Sequence, residues 1–173
     1  PKLLSYAESH DEERILYKNL NFGSSNGSYD VKDINTALDR MELTWVVFGS
    51  MPGAKMIWQF GELGYDFSIN ENGRTGNKPI RWDYNEASNR RDVYEVYGAI
   101  NKLRLEHDVF KTRDYKLDVG GSGKRVHLNH SDMNVVALGN FDVTTINMQA
   151  GFQKTGWWYE YFSNDSINVT DVN

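Results

Sequence analysis

The chain has 173 residues, a formal net charge of −5, 39% hydrophobic and 13% aromatic residues, and no cysteine. Its length fits one ordinary domain or two small ones, with enough apolar residues to form a core. The acidic balance argues against nucleic acid or an anionic membrane as the main partner. The missing cysteines exclude disulfides, thiol catalysis and cysteine-ligated zinc.

The sequence has no run of about 18 apolar residues that would span a membrane. The first ten residues lack the basic and apolar regions of a signal peptide. Localisation stays open, because any export signal would lie upstream of Pro1. The chain lacks an initiator methionine, which is compatible with a processed or excised piece of something longer.

The chain opens with two contrasting segments and then a helical pattern. Residues 2–9 predict a strand that ends at His10, and the polar residues 19–30 predict a flexible loop. Asp33 is predicted to cap the helix that follows. One apolar stripe runs along this helix at steps of four and three residues, through Ile34, Leu38, Met41, Trp45 and Phe48.

Residues 54–60 are almost wholly apolar and predict a strand buried on both faces of a parallel sheet. The long segment 61–84 follows, and loops of this length are usually functional or disordered. A second helix is predicted over residues 90–107, with a face formed by Val93, Val96, Tyr97, Ile100 and Leu103. The first 107 residues therefore predict a β-α-β-α unit with parallel strands.

After about Val109 the pattern changes to short strand-like segments separated by glycine, asparagine and aspartate. They are residues 124–130, 133–142, 144–150 and 157–163. Their spacing predicts an antiparallel Greek-key β-sandwich as a second, all-β domain over residues 108–173. This domain looks incomplete, because residues 166–173 offer no obvious final pairing strand.

His10 and Asp11 are the first candidate site, because they follow a predicted parallel strand at the edge where α/β folds build their sites. An imidazole can donate a hydrogen bond to a sugar hydroxyl, and a carboxylate can grip two hydroxyls or stabilise a cationic transition state. The alternative is that Asp11 caps a turn and His10 is merely exposed.

The long loop offers aromatic rings beside charged groups, which suits polyol recognition because rings pack on the apolar face of a sugar. The residues concerned are Glu62, Asp66, Arg74, Arg81, Trp82, Asp83 and Tyr84. The alternative is a loop that Trp82 and Tyr84 pack onto its neighbours, with the charges in solvent.

The segment GWWYEYF, residues 156–162, could be a carbohydrate-stacking platform. In a strand, Trp157, Tyr159 and Tyr161 would point one way and Trp158 and Phe162 the other. We therefore expect one of these two sets to form the sandwich core instead. The segment GGSGK, residues 120–124, lacks the spacing of a phosphate-binding loop and precedes a strand, so we reject that function.

Three stretches in series resemble the α-amylase superfamily of glycoside hydrolases, and the resemblance covers about 160 positions. YAESHDEER, residues 6–14, resembles the segment at the end of the seventh strand of its barrel. PGAKMIWQFGELGYD, residues 52–66, resembles the eighth strand and the loop after it. GRTGNKPIRWDY, residues 73–84, resembles the Arg…Pro…Trp stretch that follows in bacterial amylases and α-glucan branching enzymes.

The resemblance implies the last two βα units of a (β/α)8 TIM barrel in residues 1–107, followed by the C-terminal β-sandwich. It implies that Asp11 stabilises the transition state and that His10 binds the sugar at the cleavage site. By the same resemblance, Glu62 is a carboxylate near the substrate cleft and Arg74 an arginine that reaches the same sugar. Trp82 is expected to pack the loop.

The resemblance implies part of a retaining hydrolase acting on α-1,4-glucans such as starch, glycogen and maltooligosaccharides. The family's nucleophile and general acid lie on earlier strands, upstream of Pro1, so we expect the chain alone to be inactive. The alternatives are an α-glucan branching enzyme, a non-catalytic carbohydrate-binding module and a purely structural C-terminal domain. No cofactor is indicated, and no cluster of oxygen ligands for calcium stands out, although calcium dependence stays open. Without the rest of the barrel, the edge of the first strand would be open, and we expect the chain to self-associate through it.

Overall fold

The computed structural model describes residues 3–172, so Lys2, the first residue of the predicted strand 2–9, lies outside them. The helices are α1 (Ile15–Phe22), α2 (Ile34–Ser50) and α3 (Ser88–Glu106). The strands are β1 (Leu4–Tyr6), β2 (Ser25–Asn26), β3 (Tyr29–Asp30), β4 (Ala54–Met56), β5 (Tyr115–Asp118), β6 (Gly123–Leu128), β7 (Val135–Asn140), β8 (Gly156–Tyr159) and β9 (Ser166–Val169). Single 3₁₀ turns occupy Gly61–Leu63, Trp82–Glu86 and Asp108–Lys111.

Strands β1 and β4 pair in parallel, from Leu4 opposite Ala54 to Tyr6 opposite Met56. This confirms the predicted parallel pairing within a mixed α/β unit. The described residues form small sheets and no closed barrel. The prediction of a β4 buried on both faces is wrong: Ala54 is exposed, and Lys55 and Met56 are only partly covered. Among residues 3–172 this sheet has only two strands, so β4 has a neighbouring strand on one side only.

The helix cap and the stripe of α2 are confirmed. The Asp33 carboxylate accepts hydrogen bonds from the backbone N–H groups of Asn35 and Thr36, at 2.9 and 3.1 Å. The buried residues of the stripe join α1 and α3 in one core, where the Trp45 and Tyr97 rings stack with centroids 4.4 Å apart. These three helices support the loops that follow β1 and β4.

The predicted flexible loop 19–30 is wrong in part. Its first four residues complete α1, and a short antiparallel hairpin joins Ser25–Asn26 to Tyr29–Asp30. Gly27 allows the tight reversal, because its φ of 59° lies in the left-handed region. The polar composition predicted the turn correctly but not the end of α1 or the short strands β2 and β3.

The all-β part is a meander and a hairpin. Strands β5, β6 and β7 pair in chain order, and β8 pairs with β9, all antiparallel. The predicted Greek-key connection does not occur among residues 3–172. Residues 144–150 form no strand, whereas residues 115–118 and 166–169 do. The expectation that residues 166–173 offer no final pairing strand is therefore wrong, because β9 pairs with β8.

The two halves of the chain share an apolar core. Val47 of α2 lies in one cluster with Val109 and Phe110 and with Val126, Leu128 and Ala137 of the three-stranded sheet. Arg40 of α2 adds hydrogen bonds to the backbone oxygens of Phe141 and Asp142. If residues 1–107 and 108–173 are separate domains, this interface fixes one against the other.

Candidate functional site

The candidate site lies at the carboxyl edge of the parallel pair β1–β4. The chain leaving β1 carries His10 and Asp11, and the chain leaving β4 carries Trp58. Parallel strands end at one edge of a sheet, so these side chains come together. The ring centroids of His10 and Trp58 are 5.4 Å apart. The sequence prediction of a site at this edge is consistent with this geometry.

His10 and Asp11 form an open pair, with Nε2 of the imidazole 3.2 Å from Oδ2 of the carboxylate. Their side chains are 67% and 65% exposed. Among the described residues no backbone N–H donates to the Asp11 carboxylate, so it does not cap a turn. The turn is instead held by Ser9, whose Oγ accepts from the Asp11 N–H at 3.1 Å. The Asp11 carboxylate thus faces solvent beside the imidazole, where a ligand hydroxyl can reach it.

Arg74 reaches the same place from the long loop. Its Nη2 donates to the backbone oxygen of Asp11 at 2.9 Å and lies 4.0 Å from Oδ1 of the carboxylate. The loop is anchored next to the site by Glu13, whose carboxylate accepts from the Ser68 hydroxyl and the Ile69 N–H. The structure thus brings together three of the four residues predicted from the sequence: His10, Asp11 and Arg74.

Glu62, the fourth predicted residue, lies at the start of the long loop. It is half-buried on the 3₁₀ turn Gly61–Leu63, and its charge acts on Glu8 and Tyr97. Within residues 3–172 no hydrogen bond or ion pair joins Glu62 to His10, Asp11 or Arg74.

Arg14 is a buried residue next to the site that was not predicted from the sequence. Its side chain is almost fully buried, with 1% of the residue exposed. The guanidinium carbon lies 5.9 Å from the Trp58 ring centroid and 5.6 Å from that of Tyr65. Nη1 donates to the backbone oxygen of Ser9, the residue before His10. In the sequence Arg14 ends a charged run, and such a run usually indicates a solvated face.

Glu8 is a second buried residue that the sequence did not reveal. Burial raises the pKa of its carboxyl above the usual value, although the Ile15 N–H and the charge of Arg14 oppose the rise. Oε2 accepts from the Ile15 N–H at 2.8 Å and so caps α1, whose own N-cap residue supplies no side-chain bond. Oε1 has no partner and lies against Gly61, where a Cβ would come within 2.6 Å of it.

The long loop is ordered by Tyr84 rather than by Trp82. Tyr84 is buried in an aromatic cluster with Phe60 and Tyr65, whereas Trp82 is 74% exposed and contacts Phe60 edge to face. The expectation that Trp82 packs the loop is therefore wrong, because most of its side chain lies in solvent while Tyr84 is the buried one. Burial, together with the hydrogen bond that its hydroxyl donates to Asp66, raises the pKa of Tyr84.

Arg90 ties this loop to α3. Its Nη2 pairs with Asp66 Oδ2 at 2.9 Å, and Nη1 donates to the backbone oxygens of Leu63 and Gly64. Its guanidinium carbon lies 3.7 Å from the centroid of the Tyr84 ring. Nearby, Arg81 pairs with Asp83, and this hydrogen bond holds the pKa of the Asp83 carboxyl below its usual range. The loop therefore presents Arg74 and Trp82 from a fixed base.

Two clefts of about 460 and 490 Å³ lie away from the His10–Asp11 pair. The first is lined by Lys18, Arg40 and Asp142 among others, and the second by Asp114, His130 and Lys154 among others. No group of three or more His, Cys, Asp or Glu side chains that could hold a metal ion occurs in residues 3–172. None of the helices described there is long and apolar enough to cross a membrane.

Comparison with known proteins leaves the class of protein open, since no protein-family model and no curated protein matches the chain. Among solved structures, the chain is similar to a trehalose-6-phosphate hydrolase of Bacillus licheniformis, a mutant in complex with PNG. The identity is 16% and the TM-score 0.49, over 94% of this chain. The chain spans only 36% of that hydrolase. At these values the likeness carries no argument about fold or function.

Proposed function

We propose that residues 1–107 are part of an α-amylase-type retaining glycoside hydrolase that acts on α-1,4-glucans. In this proposal Asp11 stabilises the transition state and His10 binds the sugar at the cleavage site. The observation that carries it is the open His10–Asp11 pair at the carboxyl edge of parallel strands, backed by Trp58 and approached by Arg74. The three sequence stretches that resemble this family supply the substrate class.

The chemistry follows from the groups at this edge. Glycoside cleavage passes through a transition state with positive charge on the sugar ring, which a nearby carboxylate stabilises. The Asp11 carboxylate can accept from two neighbouring hydroxyls while His10 donates to a third. The Trp58 ring behind His10 supplies an apolar wall, and Arg74 supplies donors at the rim.

Retaining hydrolysis also needs a nucleophile and a general acid, two carboxyl groups about 5 Å apart. We assign neither role within this sequence, so the proposal places both in residues outside it. Glu62 stays in the proposal as a carboxylate near the substrate cleft. Residues 108–173 are then the C-terminal domain, fixed to the first by the core around Val47.

The uncovered flank of the small sheet fits the same proposal. Leu4 and Tyr6 of β1 are exposed, and so is Ile57 just beyond β4. Exposed strand edges and apolar faces of this kind normally pair with or pack against further strands. We propose that further barrel strands cover them in the complete enzyme and that the 173-residue chain alone self-associates through them.

The function is tested with Asp11→Asn in the longer protein that carries this segment, with amylose as substrate. We expect kcat to fall by about 100-fold or more, because the charge that stabilises the transition state is lost, with a much smaller change in KM. Asp132→Asn, on the exposed turn between β6 and β7, is the control and should keep the wild-type rate.

Three results would count against the hydrolase. If Asp11→Asn keeps the wild-type kcat, then Asp11 does not stabilise the transition state. A flat count of reducing ends with accumulating α-1,6 branches would favour a branching enzyme instead. Release of reducing ends by the 173-residue chain alone would show that its catalytic carboxyls lie within this sequence.

A further inference from the structure

The hairpin β8–β9 presents aromatic rings to solvent. Trp157 is 61% exposed and Tyr159 is 75% exposed. Neither these rings nor those of the other set, Trp158 and Phe162, belong to an apolar core among residues 3–172. The expectation that one of the two sets forms a sandwich core is therefore wrong. Large exposed rings placed together are uncommon on a protein surface and usually mark a binding site.

The strand register places these two rings on one face. Trp157 lies opposite Asn168 and Tyr159 opposite Ser166, and alternate residues of a strand point to the same side. Trp158 points to the other side, where its ring centroid lies 4.7 Å from that of Phe152. Its Nε1 donates to the Lys154 backbone oxygen at 3.0 Å. The inward ring thus anchors the hairpin and leaves the outward pair free.

The outward face combines apolar and polar groups. Asn168 and Ser166 are exposed, and their side chains make no hydrogen bond to any other residue among 3–172. A face with two rings and unused amide and hydroxyl groups matches a sugar, whose ring has an apolar face and a rim of hydroxyls. A purely apolar partner would leave these polar groups without partners.

The charge of the hairpin selects among ligands. Residues 156–169 contain Glu160 and Asp165 and no lysine or arginine. Nucleic acids, acidic polysaccharides and anionic membranes are bound through cationic side chains, which this face lacks. A neutral ligand meets no repulsion there.

The turn of the hairpin holds the two strands in place. The Glu160 N–H donates to the Asp165 backbone oxygen at 2.7 Å, and the Asn164 N–H donates to the Glu160 backbone oxygen at 3.1 Å. The Glu160 carboxylate also accepts from the backbone N–H groups of Phe162 and Ser163. The two outward rings therefore sit on a fixed support, so binding would require little ordering.

We propose that Trp157 and Tyr159, with Asn168 and Ser166 opposite, form a binding platform for a neutral polysaccharide chain. This site is separate from the His10–Asp11 pair. That the polysaccharide is an α-1,4-glucan rests on the proposed function; that it is an uncharged glycan rests on the hairpin itself.

The test is affinity electrophoresis of the 173-residue chain in native gels that contain soluble starch, hydroxyethylcellulose, heparin or no polymer. We expect starch to retard the wild type and heparin to leave its mobility unchanged. Trp157→Ala and Tyr159→Ala should each weaken retardation about tenfold, because each ring supplies stacking and apolar contact. Tyr94→Ala removes an exposed ring from α3 and is the matched control, which should migrate like the wild type.

Other outcomes separate the platform from the catalytic proposal. Asp11→Asn should keep full retardation, and a loss there would overturn the separate site. Retardation by hydroxyethylcellulose alone would support the platform and contradict the α-glucan assignment. No retardation by either neutral polymer, or equal retardation of the wild type and both hairpin variants, overturns the platform. If the hairpin variants sediment differently from the wild type but are retarded equally, the face is a contact between copies of the chain and not a polysaccharide platform.

Discussion

Replacing Arg14 by alanine should destabilise the chain by about 3 kcal/mol, because a buried cation that is hydrogen-bonded and stacked contributes more than an exposed one. The guanidinium lies over the Trp58 and Tyr65 rings and donates to the Ser9 backbone oxygen. Its loss leaves a cavity and removes the positive charge that most strongly lowers the pKa of the buried Glu8 carboxyl. Urea unfolding followed by tryptophan fluorescence measures the change.

Two variants make the Arg14 prediction specific. Arg14→Lys keeps the charge but loses the planar group that stacks on the rings. Its free energy of unfolding should therefore lie between those of the wild type and Arg14→Ala. Arg113→Ala removes an exposed arginine, and its unfolding free energy should stay within about 0.5 kcal/mol of wild type. Equal effects of Arg14→Ala and Arg113→Ala would show that the buried guanidinium does not support the site.

Replacing Gly64 by alanine should be about as damaging as the loss of Arg14. Gly64 has a φ of 65°, a conformation that costs alanine about 1 kcal/mol. A Cβ there would also lie 2.4 Å from Leu38 Cδ2 and 3.0 Å from Leu16 Cδ2, both deep in the helical core. Overpacking of this kind adds about 1–3 kcal/mol, so we expect a total loss of about 3 kcal/mol.

Gly73→Ala is the matched control for Gly64. Its φ is 79°, but no atom lies within 4 Å of the added Cβ, so it should show the backbone cost of about 1 kcal/mol alone. The difference between the two variants in urea unfolding isolates the collision with the core. If both variants lose the same amount, the loop after β4 does not pack on Leu38 as described.

The helices α2 and α3 could be predicted because their apolar residues repeat at the helical period. The pattern of α2 also ends at clear signals, Asp33 at one end and Pro52–Gly53 at the other. The parallel pair could be predicted from the order of elements, but not its length or exposure. Burial of a strand depends on its neighbours in space, and the apolar run 54–60 does not state how many strands surround it.

The candidate site was predicted in its exposed part and missed in its buried part. His10, Asp11 and Arg74 were candidates by residue type and place in the chain, and the family resemblance of three sequence stretches singled them out. Glu8 and Arg14 lie within the charged run 8–14, and nothing in that run distinguishes the buried members from the exposed ones. Likewise Trp82 and Tyr84 are two residues apart, and only the fold shows that Tyr84 is the one inside.

We propose that the carboxyl edge of β1 and β4 binds an α-1,4-glucan through His10 and Asp11. A titration of the 173-residue chain with a linear α-1,4-glucan oligosaccharide, followed by NMR, tests this binding within this sequence. We expect the imidazole resonances of His10 and the indole N–H of Trp58 to shift together. Asp11→Asn should abolish both shifts, and a β-1,4-linked oligosaccharide should produce neither. Resonances of His10 and Trp58 that stay in place throughout the titration would contradict it.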